Sequence, residues 1–220
     1  MQHTKLISAL ALAVSLGTSG AAFAAGQRDF LVRGGVAHVS PTSESESTLG
    51  GNRVEAKSAT ALGLTAAYFV TDNIAVELLA SSPFSHDIEG SEGVIDGVDV
   101  ATVRQLPPTL SVQYHLQLDM PLRPYAGIGV NFTRFFDDDL EQGFRGLGLG
   151  FDDIDLENSW GVAFQLGADY EVTSDWLVNV GVRYIDIDTD ARLNNPTGDD
   201  VEFEVEVDPV VFELGLGYVF

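Results

Sequence analysis

In the last segment of the chain the apolar side chains fall on every second residue. Phe212, Leu214, Leu216, Tyr218 and Phe220 alternate with Glu213, Gly215 and Gly217. A strict period of two makes a strand with one oily face and one small or polar face. The sequence stops on an aromatic residue. In a soluble sandwich such an edge would invite aggregation. In a closed membrane barrel it is an ordinary closing strand, with Tyr218 and Phe220 in an interfacial aromatic girdle.

The same pattern recurs along the chain. Strands are expected at residues 29–39, 59–70, 74–84, 105–118, 124–136, 159–172, 176–188 and 204–220. In nearly all of them the apolar residues carry even numbers and the small or polar residues odd ones. Residues 105–118 show it most cleanly: Leu110, Val112, Tyr114 and Leu116 oppose Thr109, Ser111, Gln113 and His115. Short connections such as Thr71-Asp72-Asn73 and Thr173-Ser174-Asp175 alternate with long acidic or Gly-rich stretches. That is the plan of an all-β protein of the outer-membrane kind. The expected fold is an eight-stranded antiparallel transmembrane β-barrel with short periplasmic turns and long extracellular loops. The oily face must point outward, because Arg, Glu, Asp, Gln and His on the other face are intolerable against hydrocarbon. A lipocalin-like barrel with its oily face inward is the soluble alternative.

Composition narrows the rest. Lys5, an apolar run over 6–16 and the Ala22-Phe23-Ala24 site read as a signal peptide at 1–24, leaving the barrel at 25–220. The run is too short to cross a bilayer as a helix. There is no cysteine, which excludes disulfides, and a net charge of −22 argues against nucleic acid.

Strand direction sorts the inward residues by height. Arg33, Glu77, His115, Asp169, Arg183 and Glu213 fall in the periplasmic half. The interior of an eight-stranded barrel is only just wide enough for side chains, so these groups are expected to plug it. Arg33 and Arg183 are expected to pair with Glu77, Asp169 and Glu213, since each would be a costly charge alone. Toward the outside lie Val39, Leu79, Pro83, Pro107, Phe135, Ile185, Ile187, Val207 and Val211, an apolar chamber suited to hydrophobic solutes. Pro83, Pro107 and Pro108 bracket one external hairpin and cannot donate to a ladder. A lateral gap is expected between them, with Pro41 and Pro209 also near outer strand ends.

Three weaker signals remain. His86-Asp87 lies near Ser81, Ser82 and Ser85, but a triad needs convergence in space, and solvated loop residues are the expectation. Asp137-Asp138-Asp139 with Glu141, and Asp152-Asp153 with Asp155 and Glu157, offer hard oxygen ligands to divalent cations. They do not form a twelve-residue calcium loop, and charge repulsion for solubility, or adaptation to a saline medium, is the favoured reading over cation binding. Residues 143–150 lack the Lys-Ser/Thr ending of a phosphate loop and are read as an apolar lid.

Several stretches taken together resemble the outer-membrane protein W (OmpW/AlkL) family, which includes the alkane-uptake protein AlkL. They are Leu106-Pro107-Pro108-Thr109-Leu110, Pro124-Tyr125-Ala126-Gly127-Ile128-Gly129, Ser159-Trp160-Gly161 and Gly167-Ala168-Asp169-Tyr170. To these add Asp175-Trp176-Leu177, Tyr184-Ile185-Asp186-Ile187-Asp188-Thr189 and the Gly-Tyr-Val-Phe end. The resemblance implies a hydrophobic channel across the outer membrane with lateral release into the bilayer, no enzyme activity and no cofactor. It also associates Trp160 with the channel, whereas parity places Trp160 outward. The expected function is passive uptake of small hydrophobic molecules, with outer-membrane lipid and lipopolysaccharide as surroundings. A structural or adhesive barrel with acidic, cation-binding loops is the alternative.

Overall fold

The computed structural model describes residues 29–42, 53–196 and 198–220, so the expected signal peptide lies outside the described residues. The first strands are β1 (Phe30–Ser40), β2 (Arg53–Ala56), β3 (Ala59–Phe69), β4 (Ile74–Ser81) and β5 (Phe84–Glu92). They are followed by β6 (Asp99–Leu106), β7 (Thr109–His115) and β8 (Leu122–Leu140). After the short helix α1 (Gln142–Arg145) come β9 (Asp153–Leu156), β10 (Ser159–Glu171) and β11 (Trp176–Ile185). The last are β12 (Asp188–Asn194), β13 (Val201–Glu206) and β14 (Val210–Val219).

Eight of these strands close on themselves. Antiparallel ladders run β1–β3–β4–β7–β8–β10–β11–β14 and return from β14 to β1. No edge is left in the membrane, which is what spanning hydrocarbon with strands requires. The even-numbered face lies outside: Leu62, Leu110, Ile128, Leu166, Val180 and Leu214 are all exposed. Aromatic rings mark both borders. Phe30 and Tyr68 touch at 4.8 Å and Tyr218 and Phe220 at 4.7 Å on the periplasmic side, while Phe132 and Trp160 touch at 4.7 Å on the outer side.

The wall continues well beyond the outer ring of aromatics. β8 has 19 residues, roughly 60 Å of strand before tilt, against an apolar band about 25 Å tall. Its upper part pairs with β6, which pairs with β5, which pairs with β2. A second outer sheet runs β13–β12–β9. The stretches expected as long loops therefore carry two small sheets standing outside the membrane.

The segment read as one strand over 74–84 is interrupted. β4 ends at Ser81 and β5 starts at Phe84, with Ser82 and Pro83 between. Across that step the inward parity switches: Glu77 and Leu79 are buried below it, Phe84 and His86 above it. A one-residue slip sends every following side chain to the opposite face.

Candidate functional site

The bore is built in layers that the odd-numbered side chains define. At the periplasmic end Leu31, Ala67, Phe69, Ala75 and Leu177 form a buried apolar cap. The inward residues expected in this half are polar, so the apolar cap is a departure from that expectation. Leu31, Ala75 and Leu177 are the first inward residues of their strands, and Ala67 and Phe69 the last two of β3.

Above the cap lies an ionic layer. Arg33 donates from Nη2 to Asp169 at 2.6 Å and from Nη1 to Glu77 at 2.9 Å. Arg183 Nη2 approaches Glu77 at 3.1 Å and Glu213 at 3.5 Å. Two guanidinium groups thus face three carboxylates. Asn179 donates to Asp169 at 2.7 Å and to the Tyr125 hydroxyl at 3.0 Å. The Tyr125 ring lies under the Arg33 guanidinium and stacks on His115, whose Nε2 meets Gln113 Oε1 at 2.9 Å. Close approach around Tyr125 needs glycine: a Cβ on Gly167 would sit 2.4 Å from the ring.

The next layer is an apolar waist. Val39, Phe135, Ile185, Ile187 and Val211 pack with Phe84, Val103 and alanines from β1, β3 and β10. These five, expected along a solute path, pack against one another. Of the other residues expected on that path, Val207 lines an open cavity. Leu79 is buried just below the waist, Pro107 is buried, and Pro83 and Pro108 are exposed.

The cavity stands above the waist, between the two outer sheets, and encloses about 660 Å³, part of it open to solvent. Val54, Ile88, Val100, Ile154, Leu193 and Phe203 line it. All six come from stretches read as loops. Their signal was present in short alternations such as Val201-Glu202-Phe203-Glu204-Val205-Glu206. Residues 143–150 anchor the top: Phe144 is buried in an outer cluster with Leu140, Ile154 and Leu193.

Trp160 is corrected by the geometry. It is 72% exposed on the outer wall and packs on Phe132, in the outer girdle, so it does not line the bore.

The proline-bracketed hairpin has a broken ladder. Between the pairs Leu79↔Thr109 and Phe84↔Gln105, no register pair joins the two strands among the described residues. The break sits at girdle height, since Phe132 N–H donates to the Pro108 carbonyl at 3.0 Å. Pro209 is buried, and Pro41 lines the cavity.

Among the described residues, the remaining polar groups converge neither as a triad nor as a cation site at the acidic runs 137–141 and 152–157. His86, expected as a solvated loop residue, is buried; its ring nitrogens meet the Lys57 carbonyl and Gln105, while Asp87 accepts from Thr102. Burial pushes the His86 pKa below its ordinary value, with the Lys57 carbonyl and Asp87 opposing. The side chains of Asp137 and Asp138 lie outside the described part. Among the described residues, the carboxylates that do converge are Asp186, Asp188 and Asp208, within 4.8 Å of one another. Burial, then Asp186, Asp208 and Glu204, raise the Asp188 pKa.

A closed barrel with an oily exterior, two aromatic rings and a charged layer inside defines an outer-membrane protein of Gram-negative type. The chain belongs to the OmpW family, whose profile matches residues 25–220. It is 43% identical over 218 residues to outer membrane protein W of Escherichia coli K12, covering 98% of this chain and 100% of that one. The crystal structure of OprG from Pseudomonas aeruginosa superposes with a TM-score of 0.81 at 39% identity, covering 89% and 97% of the two chains. The solid-state NMR structure of AlkL in DMPC bilayers gives 0.69 at 31% identity, covering 93% and 97%.

Proposed function

We propose that the protein is a passive channel for uptake of small hydrophobic molecules. Solutes enter between the outer sheets, rest in the apolar cavity and leave sideways into the bilayer. The observation that carries this reading is the stacking of an apolar, partly solvent-open cavity on a bore filled by a packed waist, an ionic layer and a cap. An apolar solute cannot cross the ionic layer without stripping its charges of partners, which is costly. The ladder break beside Pro83, Pro107 and Pro108 lies at the height of Phe132 and Trp160, where the wall meets lipid, and supports a sideways exit. No energy source is required, because partition into hydrocarbon drives the transfer. The likeness to AlkL, within a family that includes alkane uptake, supports the substrate class. Lipid and lipopolysaccharide form the surroundings, and no catalytic group or cofactor enters the process.

Complementation tests it. A deletion strain carrying the gene is expected to regain growth on a dilute, poorly soluble hydrocarbon, and Phe203→Asp in the cavity is expected to abolish the rescue. Rescue that survives Phe203→Asp rules out the cavity as the path.

A further inference from the structure

Among the described residues, His86 and Gln105 form a polar pair in the apolar region between cavity and wall break. Both side chains are almost fully buried, at 4% and 2% exposure. Their place in the strands is specific. On β6, Val103 lines the cavity, Gln105 lies two residues lower, and Pro107 borders the break. On β5, Ile88 lines the cavity, His86 lies two residues lower, and Pro83 precedes the strand. Gln105 is paired in register with Phe84 on one side and Phe135 on the other, both in the waist. A solute leaving the cavity for the break passes this pair.

Hydrogen-bond logic fixes what the pair presents. His86 Nδ1 lies 2.7 Å from the Lys57 carbonyl oxygen, which can only accept. Nδ1 therefore carries the proton, and in the neutral ring Nε2 is left as an acceptor. Gln105 Nε2 lies 2.9 Å from that atom and donates to it. The amide is thereby oriented, and its Oε1 is turned away from the ring. That oxygen is buried and has no hydrogen-bond partner among the described residues. The ionic layer holds most atoms of this kind. Outside it, Gln105 Oε1 is joined by Ser81 Oγ on the opposite border of the break. A buried acceptor left unpaired is unfavourable, and a pure hydrocarbon displacing water from it cannot repair the loss.

We propose that Gln105, oriented by His86, is a specificity-determining hydrogen-bond acceptor on the exit route. It favours apolar solutes that carry one hydrogen-bond donor, such as medium-chain alcohols, over isomers that carry none. This rests on the channel reading above and names the solute class within it. A site built to pair with a hydroxyl discriminates against the analogue lacking it because its own polar group is then left unpaired.

The test compares two isomers, 1-octanol and heptyl methyl ether, which differ in the donor. Binding to the full barrel in lipid nanodiscs is followed through the side-chain amide NMR signals of labelled glutamine and the methyl signals of the cavity, at matched lipid. The protein is expected to bind the alcohol about three- to tenfold more tightly than the ether. Gln105→Leu is expected to bring the ratio to about one while leaving ether affinity within about twofold. Gln105→Met, nearer in shape, guards against a folding defect and is expected to do the same. His86→Phe releases the amide and is expected to reduce the ratio without removing binding. Equal affinities in the unaltered protein, or a preference that survives both Gln105 variants, overturn this inference and leave the channel standing. If neither isomer perturbs the cavity signals, the channel reading and the inference fall together.

Discussion

Arg183 Nη2 donates to Glu77 Oε1 at 3.1 Å, and the two residues stand on strands diametrically opposed in the barrel. Each strand is four places from the other whichever way the wall is followed. The pair therefore spans the full bore, and both side chains are only 2% exposed. Glu77→Gln removes the carboxylate charge that both Arg33 and Arg183 share. Breaking a buried pair by losing one partner costs about 3–5 kcal/mol. The midpoint of urea unfolding in lipid vesicles, read by tryptophan fluorescence, is expected to fall accordingly. The double variant Glu77→Leu with Arg183→Leu is expected to recover part of the loss. Neither variant is expected to raise ion conductance, because the Leu31, Phe69 and Leu177 cap lies beneath.

Tyr125 and Gly167 form a second dependence that can be measured. A Cβ at Gly167 would overlap the ring at 2.4 Å, and the ring also supports Arg33 and His115. Gly167→Ala is expected to destabilise by about 1–3 kcal/mol, the usual range for overpacking. Pairing it with Tyr125→Leu is expected to relieve the overlap. A purely additive double-variant result contradicts the contact.

The overall architecture was largely legible in the sequence, for a physical reason. Lipid imposes one sign of hydropathy on one face, so the parity of Leu110, Val112 and Tyr114 reports directly on which way each strand faces. The same parity set Arg33, Glu77 and Arg183 inside. It failed where the chain leaves the membrane. The outer sheets meet water outside and a cavity inside, their strands run four to nine residues, and bulges at Arg53/Val54, Ile88/Glu89 and Thr102/Arg104 reset the phase. Phe84, whose even number places it on the outward face of a strand over 74–84, is buried because the step at Ser82-Pro83 switches which parity points inward. The cavity wall of Val54, Ile154 and Phe203 was missed for the same reason. Trp160 shows the opposite case: its parity pointed outward, and outward is where it lies.

That placement separates two roles. Trp160→Ala is expected to leave hydrocarbon uptake within about twofold while loosening the outer girdle, whose paired aromatics contribute about 0.5–1.5 kcal/mol. Phe203→Asp is expected to abolish uptake with the fold intact, judged by heat-modifiable migration on gels. Loss of uptake in Trp160→Ala with the girdle intact contradicts the outward assignment.

His86 gives a pH dependence with a definite sign. Burial holds its folded-state pKa below the ordinary value of 6.5, so the folded outer sheet prefers the neutral ring. The unfolded chain takes up the proton first as pH falls. The contribution is therefore complete above pH 6.5 and declines as pH drops from there through the lower folded value. Imidazole ¹⁵N shifts of the folded protein are expected to titrate with a midpoint below 6.5. Amide exchange in β5 and β6 is expected to quicken over the same range, and His86→Phe is expected to remove the dependence.

In the proposed path, solutes leave through the wall beside Pro83 and Pro107. Continuing the register of Leu79↔Thr109 sets position 81 opposite position 107. The chain contains no cysteine, so Ser81→Cys with Pro107→Cys creates a single pair that can staple the break. Hydrocarbon uptake by cells carrying this variant is measured oxidised and after reduction. Uptake is expected to be lost when the staple is closed and to return on reduction. Uptake unchanged with the disulfide fully formed contradicts that path.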